Sequence, residues 1–73
     1  MRIIFDSDSD TLRILLRDGP IAESDEATPG IILDYDDSGR LVGIEILAAS
    51  SQEIDFRAIA FERMDTLPSP PHP

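Results

Sequence analysis

Short apolar runs separated by turn-forming residues make up the first two thirds of the chain. "RIIF" (2–5) predicts a short strand. "TLRILLR" (11–17) alternates with period two, placing Leu12, Ile14 and Leu16 on one side and Arg13, Leu15 and Arg17 on the other. "DGP" (18–20) is a break. "IAESDEA" (21–27) predicts a weak, polar strand suited to an edge or a bulge, and "TPG" (28–30) a turn. "IILDY" (31–35) and "RLVGIEIL" (40–47) carry the strongest strand signals, being rich in aliphatic and β-branched residues. The "DDSG" between them (36–39) suits a four-residue hairpin on a type I turn, with Gly39 in the left-handed position. Closing that hairpin pairs Tyr35 with Arg40, Leu33 with Val42 and Ile31 with Ile44. The first hairpin pairs Phe5 with Leu12 and Ile3 with Ile14, so apolar positions again meet on one face.

Beyond Leu47 the period changes. In "AASSQEIDFRAIAFERM" (48–64), Ser50 and Glu53 have the spacing of a capping box, and Ile54, Ala58, Phe61 and Met64 share a helical stripe. The pattern predicts a helix over about residues 51–64. "TLPSPPHP" (66–73) cannot continue a helix, because its prolines lack the N–H donor, and reads as an extended tail. The expected architecture is α+β: one domain over 1–65, an antiparallel β-meander followed by a C-terminal α-helix, then the proline-rich tail.

Size makes such a domain marginal. A chain of 73 residues buries only about 60% of its unfolded surface. It has no cysteine, so neither disulfides nor thiolate zinc sites can staple it. Small unstapled folds gain stability by self-association or very regular packing. Fifteen acids against six bases, all arginine, give a net charge of −9. That field disfavours nucleic acid, whose binding rests on neutralising phosphates. It suits a basic protein partner or a cation. No apolar run approaches the length of about 20 residues that crosses a bilayer, and no signal-peptide pattern opens the chain. The cytoplasm is the expected location.

The run "GIILDYDDSGRLVGIEIL" (30–47), preceded by "DGPIAESDEATP" (18–29), resembles the small bacterial and archaeal proteins of domain of unknown function family 2283. So does the opening "MRIIFDSDSDTLRILL", a strand, an Asp-rich turn and a second alternating strand. The resemblance covers about residues 1–50. It implies a compact antiparallel sheet with a short helix and brings no catalytic residues. It also implies an antitoxin-like role for some members, as the small partner of a toxin.

Candidate chemistry is sparse. Asp6, Asp8 and Asp10 alternate with serines as the first ligands of a calcium loop do. Counting from Asp6, however, the required glycine is Thr11 and the anchoring glutamate is Arg17. A hairpin turn is the better reading, with a weak cation or small-ligand site as the alternative. The single histidine, His72, cannot close a metal site alone. Without cysteine or a histidine in the folded body, Ser–His and Cys–His pairs are absent. Asp34 and Glu45 should share a face opposite Leu33 and Val42, where two carboxyls in an apolar cleft could act as acid and base. Solvated or salt-bridged surface residues are the expected state for both. The expectation is therefore a non-enzyme without a cofactor.

The apolar face carries more weight. A five-strand sheet measures about 24 Å by roughly 18 Å, whereas the expected helix covers about 20 Å by 10 Å. The remainder of the face needs cover. A second copy is the simplest source, as a dimer or higher homo-oligomer. The candidate interface residues are Phe5, Leu12, Ile14, Leu33, Tyr35, Val42, Ile44, Ile46, Phe56 and Phe61.

Overall fold

The computed structural model describes residues 1–65. The proline-rich stretch expected as a tail, with His72, lies outside the described residues. Five strands run β1 (Arg2–Asp6), β2 (Thr11–Leu15), β3 (Glu23–Thr28), β4 (Ile31–Tyr35) and β5 (Leu41–Ile46), followed by a 3-10 turn, Ala49–Ser51. They form one antiparallel sheet in the order β1-β2-β5-β4-β3.

Two expectations about the architecture are overturned. First, no α-helix forms among the described residues, so the fold is all-β rather than α+β. The serine meant to cap the helix is spent elsewhere: the Ser50 hydroxyl donates to Asp10 Oδ2 at 2.6 Å. Ala48 and Glu53 both take left-handed backbone angles (φ 49° and 58°), which bound the 3-10 turn and stop it from propagating. Further on, the Arg57 N–H donates to Asp55 Oδ1 at 3.1 Å, a local bond that competes with helical bonding. The β-branched Ile54 and Ile59 add little helix propensity. A helix this short needs tertiary packing, but Phe61 and Met64 of its stripe are 85% and 89% exposed.

Second, the sheet is not a simple meander. Strands β3, β4 and β5 do follow one another, but β5 returns to lie beside β2, so β2 to β5 have Greek-key order. The connection from β2 to β3 therefore travels to the far edge. The acidic strand β3 stands at that edge, with a register shift between Glu26 and Thr28.

The first hairpin has the register its pattern predicts, Phe5 opposite Leu12 and Ile3 opposite Ile14. The β4–β5 hairpin does not. Leu33 faces Ile44, Ile31 faces Ile46, and Tyr35 faces Leu41. The hairpin closes one residue further in, at Asp36 and Arg40, and an irregularity beside Asp34 and Tyr35 inserts Val42 as an extra residue, so that the two offsets together slip Ile31–Asp34 by two from the expected pairing. Gly39 is left-handed as expected (φ 80°), but Asp36 rather than Tyr35 pairs with Arg40, its N–H donating to the Arg40 carbonyl at 2.9 Å, and Asp36 Oδ1 accepts from the Ser38 and Arg40 N–H groups, each at 2.9 Å. These backbone donors, first that of Arg40, together with the Arg40 guanidinium, hold the Asp36 carboxyl below its ordinary range.

Burial is thin. Leu12, Val42 and Ala49 are the fully buried apolar residues among those described. Ile14, Ile31, Leu33, Tyr35, Ile44 and Ile46, on the apolar face, are half-buried. Phe56 is the one expected helix residue seen to reach this face, its ring 4.6 Å from that of Phe5 and tilted by 34°.

Candidate functional site

The residues of "DSDSD" turn out to have separate tasks. Asp6 closes its own turn, with Oδ1 accepting from the Asp8 N–H at 2.9 Å. Asp10 sits in the left-handed region (φ 52°) and reaches across to the 3-10 turn. Its carboxylate accepts from the Ser50 N–H at 3.1 and 3.3 Å and from the Ser50 hydroxyl at 2.6 Å, while its carbonyl accepts from the Ala49 N–H at 2.8 Å. Two of the three carboxylates thus serve as turn and cap. Among the described residues, no group of three His, Cys, Asp or Glu side chains could hold a metal ion. Asp10→Ala should remove the cap and lower stability by about 1 kcal/mol, seen as a fall in Tm of about 4–8 °C. Asp10→Asn, which tolerates the left-handed backbone, should cost less.

The carboxyl pair on the other face is more unusual. Register fixes its geometry: Asp34 on β4 stands opposite Gly43 on β5 and Ser24 on β3, while Glu45 stands opposite Arg13 on β2 and Ile32 on β4. Asp34 was expected to be a solvated surface residue, yet it is 1% exposed and is the largest fully buried side chain among those described. Ser24 Oγ donates to Asp34 Oδ1 at 2.6 Å. Gly43 leaves the room: a Cβ there would sit 3.0 Å from the Ile14 carbonyl oxygen, 3.4 Å from Leu15 Cδ2 and 3.9 Å from Asp34 Oδ2.

Asp34 Oδ2 is buried and receives no donor from the ionised side chains around it. A proton on Glu45 supplies one. Hydrogen bonding to Asp34, then burial, then the Asp34 charge all push the Glu45 carboxyl above its ordinary value, with Arg13 pulling the other way by charge. Arg13 Nε is itself buried without a hydrogen-bond partner, so the guanidinium balances the pair by field rather than by a direct bond. The arrangement is a pair of neighbouring carboxyl groups, one buried, in a small apolar sheet.

The sequence pattern brought Asp34 and Glu45 together on one face but gave no sign of Ser24. Its pairing with Asp34 depends on a hairpin whose register shifts at Glu26/Thr28. The Asp10–Ser50 tie spans 40 residues and leaves no local signal. Of the candidate interface residues, Leu12 and Val42 are buried, Ile14, Leu33, Tyr35, Ile44, Ile46 and Phe56 are half-buried, and Phe5 and Phe61 are exposed.

Fold and site define a small acidic protein built on one sheet, with a close carboxyl pair set into it. The family model described as protein of unknown function (DUF2283) matches residues 2–50, most of the chain and all five strands, and the chain belongs to that family. No curated protein and no solved structure matches it. No helix among the described residues is long and apolar enough to cross a membrane.

Proposed function

We propose that this protein is a non-catalytic, self-associating interaction module of the cytoplasm. The observation that carries the reading is its single-layered sheet. Stable domains bury a sheet face against a second layer. Here the expected helix is missing, and Ile14, Leu33, Ile44 and Ile46 remain half-buried on the apolar face. Another polypeptide must complete the structure, and a second copy is always at hand. The carboxyl pair fits a structural role, since Ser24 answers Asp34 Oδ1 and a protonated Glu45 would answer Asp34 Oδ2. Sedimentation equilibrium over a micromolar concentration series should give a mass that is a multiple of 8.1 kDa. A constant monomer mass would refute the reading.

A second reading draws on β3. All six of its residues are exposed, and Glu23, Asp25 and Glu26 line an open edge. Such an edge suits a basic protein, as an antitoxin-like partner would require. Salt-sensitive capture of one basic protein at one-to-one stoichiometry would favour it. The turn at Asp6, Asp8 and Asp10 supports a ligand-binding role less well, because Asp6 and Asp10 are already engaged.

A further inference from the structure

We infer that two copies join edge to edge through β1, antiparallel and centred on Ile4, so that the two sheets become one. The inference rests on the self-association reading and adds an edge contact to it; edge pairing extends the apolar face, which a second layer must still cover.

The sheet has two edges, and they are built differently. Strand β3 carries the devices that prevent edge pairing: acidic residues along its length and a register shift near its end. Two β3 strands brought together would confront carboxylate with carboxylate. Strand β1 carries none of these. Its register with β2 is unbroken from Arg2 to Asp6, it contains no proline, and its outer side has no neighbouring strand. The core of the strand is apolar. Ile3 and Phe5, at 41% and 42% exposure, are the exposed large hydrophobic residues that lie within strands.

The strand "RIIFD" is also complementary to itself. A twofold axis through Ile4 sets Ile4 against Ile4, Ile3 against Phe5 of the second copy, and Arg2 against Asp6 of the second copy. Each charge meets its opposite, and each exposed apolar residue gains an apolar cross-strand neighbour. Arg2 and Asp6 form no ion pair within the chain among the described residues. Asp6 uses one carboxylate oxygen in its turn, leaving the other to face outward charge. The neighbouring twofold registers lose this match. Centring on Ile3 sets Arg2 against Ile4, and centring on Phe5 sets Asp6 against Ile4. The axis through Ile4 also keeps both apolar faces on the same side, so Leu12, Ile14 and Ile44 of each copy continue one surface.

The test is a charge exchange followed by sedimentation velocity at low salt, where surface charge is least screened. Arg2→Glu places two acids opposite each other twice per dimer, and Asp6→Arg does the same with two bases. Each variant alone should bind itself about tenfold more weakly than the wild type. An equal mixture of the two restores both attractive pairs and should associate as strongly as the wild type. The double variant Arg2→Glu/Asp6→Arg should do likewise, and Arg2→Glu, which leaves the Asp6 turn bond intact, carries the test alone if Asp6→Arg folds poorly. A wild type that self-associates, with single variants unchanged or unrescued in the mixture and in the double variant, would overturn the β1 edge and leave self-association standing. A wild type that stays monomeric would overturn both.

Discussion

Gly43→Val should lower Tm by more than about 10 °C, taking overpacking at the upper end of about 1–3 kcal/mol and about 4–8 °C of Tm per kcal/mol for so small a domain. The cause is contact rather than backbone strain. A Cβ at residue 43 already lies 3.0 Å from the Ile14 carbonyl oxygen, and backbone cannot yield as a side chain can. The branched methyls of valine would also press toward Leu15 and Asp34, the two other atoms nearest that position. Ile44→Val, one residue along, is the control and should cost only about 0.5–1.5 kcal/mol. Thermal unfolding followed by circular dichroism separates them. Equal losses at the two positions would show that Gly43 is not a close-packing site.

Glu45→Gln should stabilise the protein at pH 7 by about 1–2 kcal/mol, with the gain shrinking in acid. Glutamine offers Asp34 an N–H donor without a charge to desolvate. The wild type offers Asp34 a donor only while Glu45 is protonated, and its carboxyl is raised above its ordinary 4.5. A raised native pKa means that the folded state binds the proton more tightly than the unfolded chain. The resulting stabilisation is complete below about 4.5 and disappears as the pH climbs through the raised value. The wild type should therefore approach the variant as pH falls toward 4.5 and drop behind it above the raised value. Asp36 acts in the opposite sense. Its lowered carboxyl contributes stability above its ordinary 3.8, which is lost on further acidification. That contribution is common to both proteins and cancels in their difference. Urea titrations of both at pH 4.5 and 7 provide the comparison. A pH-independent difference would rule out the shared proton.

Period-two alternation told the face of most strand residues and the partners within the first hairpin, but not the partners within β4–β5. The β4–β5 hairpin shows why. A slip of two residues moves Leu33 from Val42 to Ile44 and keeps it on the expected face, whereas the one-residue offset at Tyr35 brings Leu41 opposite it. The pattern of apolar positions is blind to such a slip, and its two causes, closure of the hairpin at Asp36 and Arg40 and the irregularity at Val42, are backbone events. The placement of Asp34 and Glu45 on one face was legible for the same reason. The burial of Asp34 was not, because it depends on Ser24 and Gly43, brought in from two other strands. The missing helix has a third cause. Ser50 and Glu53 have the spacing of a cap, but Asp10, far away in sequence, takes the Ser50 hydroxyl first.

The strand order also sets how the chain assembles. Hairpins β1–β2 and β4–β5 close through turns of a few residues, quickly and independently. The ladder that unites them pairs Leu12 with Ile46 and Ile14 with Ile44, and it must close a loop containing all of β3 and β4. That closure loses chain entropy before it gains contacts. The β2–β5 seam is therefore the ladder whose closure costs the most chain entropy. Until it forms, the chain is two separate ribbons, each with an uncovered apolar side. The Asp10 carboxylate then fastens the finished seam at one end, by holding the turn that follows β5 against the turn that precedes β2.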